Sequence, residues 1–182
     1  VDNRPGAGTN IGMAIVARAP ADGYTLGLAN IAANAANKCL YRSLPFDPER
    51  DFAAVGMIAL VPNIVVIPPS VPARTLQEFI AWARAQNRPI NFGSVGAGSS
   101  QHLAGSQFQV ITGLPMQHLP YTNSGQMNTD LIEGRTDMLF QSISAVAQMA
   151  QAGRMRPIAV SGAERVPAFP DLPTMREQGV EI

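Results

Sequence analysis

Between Phe92 and Leu103 the chain reads Phe-Gly-Ser-Val-Gly-Ala-Gly-Ser-Ser-Gln-His-Leu, with glycines at 93, 96 and 98 and hydroxyls at 94, 99 and 100. Ile90 to Phe92 is β-like, and Leu103, Gln107 and Val110 mark one face of a helix, so the small residues occupy a strand-to-helix loop. Glycine lets backbone approach a ligand closely, and the first amides of a helix have no partner inside it. Ser94, Ser99 and Ser100 with those amides form a concentrated donor set, whose chemistry is the retention of an anion. The plainer reading is a tight turn with Ser99 as N-cap; a cap needs one hydroxyl, and three compete for this helix end.

Bond-making chemistry finds less support. His102 and His118 are the only imidazoles; the first lies in the opening turn of its helix, where it can contact the loop, and the second sits in a strand-like segment and reads as structural. The alternative to a binding site is an α/β enzyme using His102 and a pocket serine for acyl or phosphoryl chemistry. Against it, no serine stands in a Gly-x-Ser-x-Gly elbow and no Gly-Lys-Ser/Thr is present. Gly6-Ala7-Gly8-Thr9-Asn10-Ile11-Gly12 has one residue too many before its last glycine for a dinucleotide fingerprint. Asp130, Glu133 and Asp137 lack a metal-ligand spacing, and Cys39, alone, supplies neither a disulfide nor a thiolate zinc site. Trp82, beside Ile80 and Ala83, reads as packing. No metal and no cofactor is expected, and recognition without catalysis is the reading.

The elements that position this loop alternate in type. Gly8 to Ala19 is expected as a helix ending before Pro20, Gly23 to Leu28 as a strand, Asn34 to Tyr41 as a short helix, and Ala53 to Leu60 and Asn63 to Ile67 as strands. Thr75 with Glu78 spells a capping box for a helix carrying Leu76, Phe79, Ile80 and Ala83 on one face. Strand and helix then recur: Ile90 to Phe92, Ser99 to Thr112, Met116 to Leu119, Ser124 to Glu133, Thr136 to Phe140, Ser142 to Ala152, and Arg156 to Val160. Gly113, Gly134 and Gly153 close the helices. That rhythm is an α/β fold with mostly parallel strands, in which ligands collect beyond the carboxyl ends of the strands. The 182 residues are 46% apolar, enough for a real core, and 13 basic residues balance 13 acidic ones. No global field draws in nucleic acid or an anionic membrane surface. No apolar run reaches the roughly 18 residues of a membrane span.

Several blocks occur in a recognisable order: Asn3-Arg4-Pro5-Gly6-Ala7-Gly8 with Asn10-Ile11-Gly12, Pro20-Ala21-Asp22-Gly23-Tyr24-Thr25-Leu26, and Leu40-Tyr41 with Leu44-Pro45-Phe46-Asp47-Pro48 and Asp51-Phe52. Phe92-Gly93-Ser94, Gln101-His102-Leu103-Ala104-Gly105, Pro120-Tyr121, Asp137-Met138, Ala159-Val160-Ser161-Gly162 and Pro170-Asp171-Leu172-Pro173-Thr174 continue it. In these blocks the chain resembles the substrate-binding proteins of tripartite tricarboxylate transporters, the Bug (TctC-like) family.

The resemblance implies a periplasmic binding protein of type II-like α/β fold, two lobes closing about a hinge on a small organic carboxylate, which is passed to the membrane components of the transporter. Mapped on this chain, residues 64–155 would form the second lobe and residues 1–63 and 156–182 an incomplete first lobe. Relatives begin with a strand and a loop that grips one carboxylate, and with a cleaved export signal upstream; the chain reads as cut from something longer at both ends. Poor ligand binding by the 182 residues alone is therefore expected, and an uncovered sheet edge makes an edge-paired or swapped dimer an expectation too. The ligand-binding residues implied are Ser94, Gly98, Ser99, Ser100 and Gln101 from one lobe and Asn30, Asn34 and Asn37 from the other. Gln141 and Ser142, following the Asp137 to Phe140 strand where many relatives have Asp-Asn, alter the polar wall. An amide at 141 removes a carboxylate that would oppose an anion.

Overall fold

The computed structural model describes residues 1–4 and 6–181; Pro5, part of the first resemblance block, and Ile182 lie outside the described residues. Its centre is a five-stranded sheet built from β1 (Asn63–Ile67), β2 (Ile90–Ser94), β3 (Met116–Pro120), β4 (Met138–Ser142) and β5 (Arg156–Val160), in the order β3-β2-β4-β1-β5. β2 runs parallel to both β3 and β4, whereas β1 is antiparallel to β4 and β5. Four strands thus share a direction and β1 opposes them. The expected α/β fold with mostly parallel strands is present, with that one reversal.

The β1 sequence Asn-Ile-Val-Val-Ile suits its place: a strand buried on both faces carries a run of branched apolar residues rather than an alternation, and every residue of β1 is buried. Val65 and Ile67 enter one core with Phe92, Met138 and Phe140, beneath α3 (Leu76–Arg84) and α4 (Ser100–Thr112). Ile64, Val66 and Leu139 enter the other, with Met127 and Leu131 of α5 (Ser124–Ile132) and Val146 of α6 (Ile143–Gln151). The result is helix, sheet, helix in three layers.

The local signals in this body are realised. Thr75 Oγ1 accepts the Glu78 amide at 3.1 Å, while the Glu78 carboxylate accepts the Arg74 amide at 2.8 Å. Gly113, Gly134 and Gly153 have φ of 67°, 75° and 69°, the left-handed conformation that closes a helix. β4 begins at Met138 rather than Thr136, and just ahead of it the Asp137 carboxylate accepts from Arg88 in two contacts of 2.7 Å and from the Asn91 amide at 2.8 Å. It runs on through Gln141 and Ser142, which face Ile64 and Asn63 across the ladder.

The segment before β1 departs from expectation. α1 (Asn10–Arg18) forms, and a π-helical turn, Ala32–Ala36, runs into α2 (Asn37–Leu40). Gly23 to Leu28 and Ala53 to Leu60, expected as strands, are irregular chain without a ladder. A strand needs a partner for its amides and carbonyls, and neither segment has one among the described residues. Arg156–Val160 belongs to the central sheet, and Met175 and Val180 join its core, so residues 156–181 pack with 63–155 rather than with the N-terminal segment.

Candidate functional site

Three helices start at one end of the sheet. β2, β3 and β4 run parallel, and each is followed by a helix whose first turn stands at that strand's carboxyl end: α4 after Ser94, α5 after Pro120 and α6 after Ser142. From β2 the chain moves outward to β3, and from β4 it crosses β1 to reach β5. The reversal makes the crevice between β2 and β4 the switch point at which such sheets take ligands.

The loop after β2 is held from within. Ser99 caps α4: its Oγ accepts the His102 amide at 3.2 Å and donates to the Gly96 carbonyl at 2.8 Å. Gly98 has φ of 83°, a left-handed conformation, and a Cβ there would stand 2.7 Å from Asn37 Oδ1 and 3.0 Å from Leu40 Cδ1. Its amide donates to His102 Nδ1 at 3.3 Å. The amides of Ser100 and Gln101 make no hydrogen bond among the described residues, and the exposed Ser100 hydroxyl is likewise unengaged there. These are the donors left for a guest.

Ser94 is different. It is fully buried, its Oγ lies 2.6 Å from His118 Nε2, and the same oxygen contacts both the amide and the carbonyl of Gly96 at 3.1 Å. Its hydroxyl ties the loop to β3 and is not an open donor, which corrects the reading of three competing hydroxyls. The pairing that the enzyme alternative needs is not formed: among the described residues the His102 ring bonds the Gly98 amide and no serine hydroxyl. The imidazole against the serine is His118, not His102, and Ser94 Oγ has no access for a substrate. Burial, and for His118 also the neighbouring His102, pushes both imidazoles below their ordinary range.

Gln101 and Gln141, both buried, meet between the ends of β2 and β4. Gln101 Nε2 donates to Gln141 Oε1 at 2.8 Å, and Gln101 Oε1 accepts the Val95 amide at 3.0 Å. The asparagines separate. Asn37 is buried, donating from Nδ2 to the Gly8 carbonyl at 2.9 Å and to Asn10 Oδ1 at 2.7 Å, with its own Oδ1 unpaired beside Gly98. Asn30 is exposed and its Oδ1 accepts the amides of Ala32 and Ala33, so it caps the turn that follows. Asn34 is exposed and its side chain makes no hydrogen bond among the described residues. The structure thus places Gly98, Ser99, Ser100, Gln101 and Gln141 together at the carboxyl ends of β2 and β4 and sets Asn37 against the loop, leaving Asn30 and Asn34 exposed. His118, read from the sequence as structural, is the partner of Ser94; residues not singled out from sequence include Asn128, which joins Gln141, and Asn10, which holds Asn37. A polar residue beside Met127 and on the buried side of α5 was the available signal for Asn128. No group of three His, Cys, Asp or Glu able to hold a metal occurs among the described residues.

The three-layer α/β body with helices starting at the carboxyl ends of its parallel strands is the architecture of the periplasmic binding proteins it resembles. The model of the tripartite tricarboxylate transporter family receptor matches residues 1–182, and the chain belongs to that family. Among curated proteins it is similar to Protein BugT of Bordetella pertussis, 34% identical over 180 residues, covering 98% of this chain and 55% of that protein. Among solved structures it resembles R. palustris Rpa4515 with adipate, at TM-score 0.92 and 37% identity, covering 98% of this chain and 60% of that one. The periplasmic binding protein BugD is similar at TM-score 0.87 and 29% identity, covering 98% and 59%. The chain spans a little over half the length of the curated relatives it matches. The matching family is one of receptors, and BugD is a periplasmic binding protein.

Proposed function

We propose that this chain is the greater part of an exported, periplasmic receptor that captures a small organic carboxylate and presents it to the membrane components of a tripartite tricarboxylate transporter. One observation carries the reading: three helices start at the carboxyl ends of three parallel strands, and the side chains of Ser99, Ser100, Gln101 and Gln141 that stand there are uncharged. Each helix start contributes roughly 0.3–1 kcal/mol to holding a negative charge, and up to about 2 when partly buried. Several of them hold a carboxylate without arginine. The kinship to a structure carrying adipate supports the choice of ligand class.

In this reading the body of residues 63–181 is one lobe, and residues 1–62 contribute to the other, meeting it where Asn37 and Leu40 press on Gly98. Gly98, Ser99, Ser100, Gln101 and Gln141 serve the ligand from the first; Asn37 supports the loop, and Asn30 and Asn34 reach the guest only if the segment rearranges on closure. Closing excludes water and strengthens each contact. No chemistry is performed on the ligand.

Calorimetric titration of adipate into the full gene product tests this. Saturable binding of one adipate per protein is expected, with the neutral diamide of adipic acid inert; absence of binding by adipate and by a panel of shorter and aromatic dicarboxylates would refute it.

A further inference from the structure

Behind the three helix starts runs a continuous line of buried primary amides. The Val95 amide donates to Gln101 Oε1 at 3.0 Å, Gln101 Nε2 to Gln141 Oε1 at 2.8 Å, Gln141 Nε2 to Asn128 Oδ1 at 3.3 Å, and Asn128 Nδ2 to the Ala145 carbonyl at 3.4 Å. Gln141 Oε1 also accepts the Ser142 amide at 3.0 Å. The three side chains are 8%, 1% and 6% exposed. Each accepts on its oxygen and donates from its nitrogen in one sense, so a flipped amide anywhere would set two like groups against each other. The line joins the loop after β2, the end of β4, the body of α5 and the first turn of α6.

We infer that Gln141, through Gln101 and Asn128, is the positioning and specificity-determining residue of the crevice: it sets the spacing of the loops after β2 and β4 and keeps the floor beneath the ligand uncharged. This rests on the carboxylate-receptor reading above. An amide is the side chain that does both tasks, since it can donate and accept at one position while carrying no charge. A carboxyl of similar shape would accept from Gln101 Nε2 and Ser142 N but, once ionised, would oppose an anion held at the helix starts, with little water present to screen it. The titratable groups on the elements packed around Gln141 are few. α4 carries His102 and α5 carries Asp130, itself bonded to Arg135, Tyr121 and Gln126; β1, β2 and α6 carry none.

Two measurements on the full gene product test the inference. Hydrogen exchange at the Val95 and Ser142 amides is expected to be slow in the natural protein and at least about tenfold faster in Gln141→Met, which removes the polar atoms and keeps the volume; equal rates would overturn the positioning role whether or not any ligand binds. Adipate affinity is then followed against pH, each variant normalised to the natural protein so that titration of His102 and His118 cancels. Gln141→Glu is expected to bind at least about tenfold more weakly near neutral pH and to recover as the medium is acidified and the introduced carboxyl takes up a proton, whereas the deficit of Gln141→Met stays constant with pH. Natural affinity in Gln141→Glu near neutral pH, or a deficit that does not change with pH, would overturn the specificity role. Failure of the natural protein to bind adipate refutes the receptor reading instead, and the exchange rates still decide the relay.

Discussion

His102 and His118 lie against one another beneath the loop after β2, their ring centroids 4.4 Å apart, and each is bonded to it: His102 Nδ1 accepts the Gly98 amide and His118 Nε2 meets Ser94. Protonation of His102 at Nδ1 would turn that acceptor into a donor facing an N–H. Burial already holds both rings below the ordinary imidazole value of about 6.5, so the unfolded chain takes up these protons before the folded one does. Their contribution to stability is therefore complete above about pH 6.5 and is lost as the pH falls from there towards the depressed folded values. The thermal midpoint is expected to drop between about pH 7 and about pH 5, and the drop should shrink in His102→Gln; an equal drop in both proteins would disprove the assignment. At this scale the sequence revealed what is decided within a few residues, such as Ser99 as the cap of α4. The partner of Ser94 stands 24 positions away and is set by the parallel register that places Phe92 opposite His118, so no local pattern announced it.

Helix α4 shows how an element is fitted as well as formed. Gly105 lies on its sheet-facing side, where a methyl group would overlap the Phe92 ring, and Gly93 of β2 is similarly covered, with a Cβ placed 2.7 Å from Leu139 and 2.9 Å from Met127. Alanine favours a helix over glycine by about 1 kcal/mol, but overpacking of this kind costs roughly 1–3 kcal/mol and also pushes α4 off the sheet. Gly105→Ala is expected to lose about 2 kcal/mol, whereas Gly113→Ala, with open space around it and φ of 67°, should lose only about 1 through backbone strain. Denaturant midpoints for the two variants check the order, and a stabilised Gly105→Ala would contradict the packing. Helices with their caps were legible because their bonds close within the element. Strands were legible only where a partner exists: the apolar pattern of residues 23–28 and 53–60 has the right period, yet Tyr24, Leu26 and Leu28 stand 92%, 73% and 80% exposed.

Across the molecule, cohesion is divided unevenly. The sheet body owns two buried clusters, one on each face, while the N-terminal segment has a small one in which Met13, Ala14, Ala33 and Phe46 are buried. The amides of residues 53–61 make no backbone hydrogen bond among the described residues, and Val55, Met57, Ile58 and Leu60 are between 76% and 87% exposed. A segment with few buried contacts and unpaired amides opens at little cost, whereas amides in a doubly covered strand exchange only when the body unfolds. Native-state hydrogen exchange of the 182-residue polypeptide is therefore expected to separate two regimes. Residues 53–61 should exchange close to open-chain rates, and Val65, Val66, Leu139 and Phe140 should require global opening, with protection falling in step as denaturant lowers stability. The relatives are nearly twice as long, and in the full gene product the same 53–61 amides should slow if further chain pairs with them. Uniform protection from residue 53 onward in the 182-residue polypeptide would mean that this segment is already docked, and that its extended apolar pattern has a partner within these residues.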